Sequence, residues 1–243
     1  MKTLIVGASG ATGRLLIEQL LNREQKVKII VRSVESLPES VKNHKNIEIV
    51  QASLLDLSDS ELEQHVKDVD AIASCLGHNI TFKGLFGHPR KLVTDATRRL
   101  CEAVKANNPT KTVKFVLMNT TGNRNRDINE PISFAEKVVI GLIRLLLPPQ
   151  SDNEMASDYL RINIGQSDDT IEWAAVRPDG LIDKDKVTKY KVYPSPIRSA
   201  IFNAGKISRI NVGHFMADLI TDSKIWNKWK GQMPVIYNKD TSE

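Results

Sequence analysis

Cysteine is scarce in this chain. Of 243 residues only Cys75 and Cys101 carry a thiol, each inside an apolar segment. No C-x-x-C pair and no Cys/His spacing of the metal-binding kind is present, which argues against a zinc module and a disulfide scaffold and for buried thiols in a reducing compartment. Repeats and low-complexity tracts are also missing, which excludes solenoids and extended disordered chains. A long hydrophobic run is missing too. The most apolar stretch, residues 132–147, carries Glu136, Lys137 and Arg144 and falls short of the about 20 residues a membrane span needs. No block of like charge accompanies the net charge of +5. Scattered Lys and Arg argue against nucleic acid and suit a small polyanionic ligand. The first strand pattern begins at residue 2, which leaves no room for a targeting peptide, so a cytoplasmic location is expected.

What is present begins at once. Lys2-Thr3-Leu4-Ile5-Val6 reads as a buried strand and leads directly into Gly7-Ala8-Ser9-Gly10-Ala11-Thr12-Gly13, followed by the helical apolar period Leu15, Leu16 and Leu20. Strand, glycine turn and helix thus stand in the order a dinucleotide site requires. Gly7 permits the tight turn, Gly10 lets backbone approach a pyrophosphate, and Gly13 lets the helix pack closely on the strand. Ser9, Ala11 and Thr12 present backbone at the positive helix end.

Farther on, periodicity predicts a helix over 11–22, strands over 26–31, 47–50, 69–73, 113–118 and 171–176, and a helix over 90–106. This alternation predicts an α/β fold, a doubly wound parallel sheet of Rossmann type, with every strand's C-terminal end on one edge. A single domain over 1–243 is expected, in which 178–243 form a small substrate-side region with a late strand over 207–212 and a helix over 213–221. Residues 224–230, with Trp226 and Trp229, read as an amphipathic terminal helix. The segment 132–147 reads either as a helix packed on the sheet or as a lid or homodimer face.

Arg32 closes the second strand, where an acidic residue would accept the ribose hydroxyls of NAD. A guanidinium there attracts a 2′-phosphate instead, so the expected cofactor is NADP(H), with Ser33 and Arg14 as further donors. At this point the chain resembles the atypical short-chain dehydrogenase/reductases of the NmrA-like, NAD(P)H-binding group, which includes the flavin/biliverdin reductase type. The matching residues are Gly7 to Gly13, Val31-Arg32-Ser33, Ala52-Ser53-Leu54-Leu55-Asp56, Ser74-Cys75-Leu76-Gly77, Asn119-Thr120-Thr121-Gly122 and Trp173-Ala174-Ala175-Val176-Arg177-Pro178.

The resemblance implies that Gly7 to Gly13 hold the pyrophosphate, Arg32 the 2′-phosphate, and Ser53 and Leu54 the adenine. Ser53 stands where the family usually has Asp. It further implies that Cys75, Leu76 and Gly77 line the ribose beside nicotinamide and Pro178 its face, although Cys75 also reads as a core thiol. Family members that do alcohol chemistry carry Tyr-x-x-x-Lys, which this chain lacks: Tyr159, Tyr190, Tyr193 and Tyr237 are followed four residues later by Asn163, Pro194, Ile197 and Thr241. Thr120 and Thr121 match the family's catalytic Ser/Thr region, and their hydroxyls would either bind a substrate carbonyl or satisfy loop backbone. His78 is the candidate proton donor, and Arg124 and Arg126 are candidates to meet substrate carboxylates or phosphates. Without a tuned acid, the expected chemistry is NADPH-dependent hydride transfer to a flavin, quinone or similar conjugated acceptor, with water as proton source. The alternatives are a non-catalytic NADP(H) sensor of the NmrA-like type and, disfavoured by the missing Tyr-x-x-x-Lys, an epimerase or dehydratase.

Overall fold

The computed structural model describes residues 1–78, 81 and 87–239. Strand β1 (Lys2–Val6) is buried on both faces, as its unbroken apolar run demands, and passes through the glycine turn into helix α1 (Ala11–Leu21). There follow β2 (Lys26–Val31), the short α2 (Glu39–Lys42), β3 (Ile47–Gln51), α3 (Asp59–Val66), β4 (Ala71–Ser74), α4 (Leu92–Ala106) and β5 (Val113–Met118). Helix α5 (Phe134–Leu146) and α6 (Pro148–Asp158), extended by a π-helical turn at Tyr159–Ile164, precede β6 (Ile171–Pro178). The remainder comprises β7 (Gly180–Ile182), β8 (Tyr190–Tyr193), β9 (Lys206–Ser208), α7 (Arg209–Thr221), α8 (Ser223–Trp229) and β10 (Val235–Asn238).

The main sheet has the order β3-β2-β1-β4-β5-β6-β10-β8, parallel except for the edge strand β8, which runs antiparallel to β10. This is the doubly wound Rossmann-type arrangement. Because side chains alternate along a strand, Ile5 meets α1 and α7 on one face through Leu16, Leu20, Phe215 and Met216, whereas Leu4 meets α3 and α4 on the other through Leu62 and Leu100. Residues after 178 add β10 and β8 to the main sheet and form a separate parallel pair, β7 with β9.

Two expectations change. The late strand ends at Ser208, and residues 210–212 are helical: Ser208 Oγ accepts the Asn211 N–H, and Val212, Phe215, Met216 and Leu219 then follow the helical period into the core. An N-cap outweighs the β-propensity of Ile210 and Val212. The apolar segment 132–147 does form a helix, yet it is not packed on the sheet. Only Glu136 and Ile140 of α5 are buried, while Phe134, Val138, Leu142, Leu145 and Leu146 face outward. Among the described residues, no helix is long and apolar enough to cross a membrane.

Candidate functional site

The strand ends determine where a ligand lies. Val6 pairs in register with Ile30 and Ser74, Ser74 with Leu117, and Leu117 with Ala175, so the loops after β1, β2, β4, β5 and β6 open along one edge. Gly7 sits at φ +73°, and a Cβ there would stand 2.4 Å from the Cys75 carbonyl carbon. At Gly13 a Cβ would stand 2.2 Å from the Gly7 carbonyl oxygen. Both positions therefore require glycine, one for its backbone angle and proximity to β4, the other for the seat of α1 on the turn. Helix α1 has no side-chain cap and no acid in its first turn, so its leading amides and dipole are available to an anion.

Beside this turn lies a cleft of about 480 Å³ lined by Gly7, Ser9, Gly10, Arg32, Ser53, Leu54, Cys75, Leu76 and Gly77, with Asp56 and His88 also on its walls. Thus the structure brings together most of the residues the sequence assigns to the cofactor. Ala11, Thr12 and Gly13 are outside this lining; Thr12 and Gly13 are buried beneath the turn, where their contribution is backbone shape. Ser33 is likewise absent from the lining, and its hydroxyl donates to Glu35. That bond is the largest influence holding the Glu35 carboxyl below its ordinary range. Burial pushes the Cys75 thiol up to about 12, so it remains a neutral wall rather than a nucleophile.

His78 has a different setting from the one its position suggests. Its Nε2 lies 2.7 Å from Asp152 Oδ2, and the same carboxylate accepts the backbone N–H groups of Val93 and Thr94 and the Thr94 hydroxyl. The imidazole is thereby tied to the start of α4 and is absent from the cleft lining. Asp152, unremarked in the sequence, substitutes for the missing cap of that helix.

On the β5 and β6 side the loop carrying the threonines is fixed by a buried ion pair. Arg177, fully buried, donates to the Glu130 carboxylate, to the Asn123 carbonyl at 2.8 Å and to the Met233 carbonyl at 2.7 Å. The pair is tolerated because its polar atoms are bonded, and it locks residues 123–130 against β6. Thr120 Oγ1 accepts the Gly122 N–H at 3.3 Å, the loop-satisfying role. Thr121 donates its hydroxyl to Asp179 Oδ1 at 3.2 Å, and Pro178 accepts the Thr121 N–H at 3.1 Å. Asp179, immediately after Pro178, also accepts the Gly205 N–H at 2.7 Å; burial raises its carboxyl from the ordinary value against the pull of these bonds.

Thr121 opens onto a second cleft, of about 700 Å³, whose walls include Arg124, Glu130, Ile132, Glu136, Ile140 and Arg198. Arg126 does not join it. Its guanidinium pairs with Asp158 at 2.8 Å and Glu154 at 3.5 Å, which corrects the expectation that it meets substrate acids. Arg198 and Asp179 are contributions that sequence reading missed, since both lie in proline-bearing turns without periodic signal. Among the described residues no group of three or more His, Cys, Asp or Glu side chains is placed to hold a metal.

The comparisons agree with this geometry. An uncharacterised chloroplastic protein of Arabidopsis thaliana is 36% identical over 76 residues, a match that spans 31% of this chain and 27% of that relative. A short-chain dehydrogenase/reductase from Veillonella parvula solved in complex with NADP superposes with a TM-score of 0.71 at 15% identity, covering 100% of this chain and 96% of the other. An anaerobillin reductase from Escherichia coli gives 0.69 at 16% identity, covering 99% and 98%. These distant likenesses establish the fold. The pattern of a family described as NAD(P)H-binding matches residues 7–223, nearly the whole chain, and the protein belongs to that NAD(P)H-binding family.

Proposed function

We propose that the protein is an NADPH-dependent oxidoreductase that passes hydride to an aromatic or conjugated acceptor such as a flavin, a quinone or a similar ring system. The observation that carries this reading is the presence of two clefts along one sheet edge. The first is built for a dinucleotide, and the second opens at Thr121, beside the strand ends where the nicotinamide half of such a ligand would reach. Gly7 to Gly10 and the α1 amides would hold the pyrophosphate, Arg32 the 2′-phosphate, Ser53 and Leu54 the adenine side, and Cys75, Leu76, Gly77 and Pro178 the far ribose and nicotinamide. When bound, the reduced cofactor supplies a hydride.

The protein's part is orientation and exclusion of water. Thr121 lines the second cleft, and its hydroxyl is held by Asp179. With His78 tied to Asp152 and no Tyr-x-x-x-Lys, the acceptor's proton would come from solvent. The outward apolar stripe of α5 supports a homodimer: residues 134, 138, 142 and 145 form one row, and the nearby Arg144 is neutralised by Glu154 at 2.7 Å. NADPH consumption measured with a flavin, a naphthoquinone and a linear tetrapyrrole tests the assignment. Turnover above the uncatalysed rate with at least one acceptor is expected. Tight NADPH binding without reduction of any would reject the reductase in favour of a nucleotide-gated regulator.

A further inference from the structure

Two guanidinium groups in the second cleft have no carboxylate bonded to them among the described residues. Arg124 spends Nη2 on the Glu130 backbone carbonyl at 2.8 Å, while its Nε is buried and unsatisfied. Arg198 lies with its guanidinium carbon 5.9 Å from the Tyr237 ring centre and makes no ion pair among the described residues. The contrast with the neighbouring arginines is sharp. Arg126, Arg144 and Arg161 each pair with acids from α6, and Arg177 is saturated by Glu130 and three carbonyls.

The acids of the cleft are already occupied. Glu130 is neutralised by Arg177, and its Oε2 also accepts the Asn125 N–H. Glu136 Oε1 accepts the Ala200 N–H at 3.0 Å. With Glu130 balanced by Arg177, the two arginines face Glu136 and, behind Thr121, Asp179, whose charge acts on Arg198 without an ion pair and whose oxygens accept the Gly205 and Gly180 N–H groups. Charge is thus balanced, and both guanidinium groups keep N–H donors that no acid of the described residues bonds. The rest of its wall is apolar: Pro131, Ile132, Ile140, Pro196 and Ile197. A buried donor without a partner is costly, and such a group is retained most economically where a ligand supplies the acceptor.

Resting on the oxidoreductase reading, we infer that the acceptor is an anionic amphiphile: a flat apolar body lies against Ile132 and Ile140, and an acidic arm, phosphate or carboxylate, is bound between Arg124 and Arg198. Planar guanidinium donors suit either oxyanion through paired N–H bonds. Selectivity would then come from the arm rather than from the reacting ring. The neutral ring analogue would still be reduced, but with a higher KM.

Paired probes read the arm directly: flavin mononucleotide against riboflavin for phosphate, and a naphthoquinone carboxylate against its methyl ester for carboxylate. Wild-type protein should favour the anionic member of at least one pair by about tenfold to a hundredfold in kcat/KM, chiefly through KM. Arg124→Gln and Arg198→Gln should each lower kcat/KM for the anionic member far more than for the neutral one, erasing most of that preference, and Arg124→Lys should restore part of it. The pair that discriminates identifies the arm. Calorimetric titration of the same probes into the protein with NADP⁺ separates the two ideas. A binding preference without turnover would reject the reductase and keep the subsite, whereas turnover with equal affinity for charged and neutral probes would overturn the subsite alone. Loss of both members equally in the arginine variants would also overturn it.

Discussion

Asp152 on α6 holds His78 and the first turn of α4 with one carboxylate: 2.7 Å to His78 Nε2, 2.8 Å to the Val93 amide and 2.9 Å to the Thr94 amide. A fully buried acceptor with this many donors acts as a tertiary cap, and its removal leaves buried N–H groups without partners. Asp152→Ala should therefore cost roughly 3 kcal/mol, measured by urea unfolding. His78→Ala, which spares the two amide bonds, should lose less stability and leave the rate of acceptor reduction close to wild type. A large kcat loss in His78→Ala with unchanged stability would restore the imidazole as a proton donor.

The three glycines of the turn should separate by role. Gly7→Ala and Gly13→Ala force a Cβ to 2.4 Å and 2.2 Å from backbone, so each should lower stability by about 3 kcal/mol and abolish nucleotide binding with it. Gly10→Ala meets nothing closer than the Gly7 carbonyl oxygen at 3.2 Å and keeps an ordinary extended backbone. That variant should fold normally yet bind NADPH about tenfold more weakly, because its methyl group would stand where the pyrophosphate is proposed to approach. Thermal melts alongside fluorescence titrations distinguish the two outcomes.

Legibility followed the range of the interactions. The turn at residues 7–13 and strands β1 to β6 were readable because they depend on neighbours within a few residues: apolar runs, glycine spacing and helix period. The place of Arg32, directly after β2, was readable for the same reason. Asp152, Asp179 and Arg198 gave no such signal, because each gains its role from partners far along the chain, Asp152 from Val93 and Asp179 from Thr121 and Gly205. Arg124 and Arg126 looked equivalent in sequence, yet the structure ties Arg126 to acids of α6 and Arg124 to the Glu130 carbonyl. Helix α5 was readable as apolar, but only tertiary structure shows that its apolar row faces outward.

Asp168 links stability to acid. Partial burial raises its carboxyl, but bonds from Lys105, the Thr170 hydroxyl and the Thr170 and Ile171 amides outweigh this and bring it from 3.8 to about 2. A depressed folded-state value means stability that is present above the unfolded value and lost as pH falls from about 4 through 2. Solvent screening reduces the gain to about 1 kcal/mol. Asp168→Asn should lower the urea midpoint accordingly at pH 7, and the gap to wild type should close as the acid limb is descended. A gap independent of pH would trace the loss to the hydrogen bonds alone.

The stripe on α5 gives a test of assembly. Leu142 and Leu145 are 52% and 79% exposed, whereas Ile140 on the opposite face is 6% exposed. Leu142→Glu and Leu145→Glu should leave monomer stability within about 0.5 kcal/mol but shift sedimentation from dimer to monomer. Ile140→Glu should unfold the cleft wall instead. Wild-type protein that sediments as a monomer at all concentrations would remove the dimer proposal.

On the proposed reading, cofactor choice rests on Arg32, whose exposed guanidinium lines the first cleft just after β2. A 2′-phosphate placed there would gain a charge-assisted hydrogen bond worth about 1.5 to 3 kcal/mol, so Arg32→Ala should weaken NADPH binding roughly tenfold to a hundredfold. NADH has no group for this side chain to meet and should bind nearly as before. Ser33→Ala should have a smaller effect, because its hydroxyl is already committed to Glu35. Glu35 itself is an exposed carboxylate two residues from Ser33, and it opposes a neighbouring phosphate across solvent. Glu35→Gln should thus tighten NADPH modestly, more at low ionic strength than at high, with no change for NADH. Calorimetric titration of both nucleotides into the three variants decides the matter. Equal losses for NADPH and NADH in Arg32→Ala would show that the guanidinium shapes the loop rather than reading the phosphate.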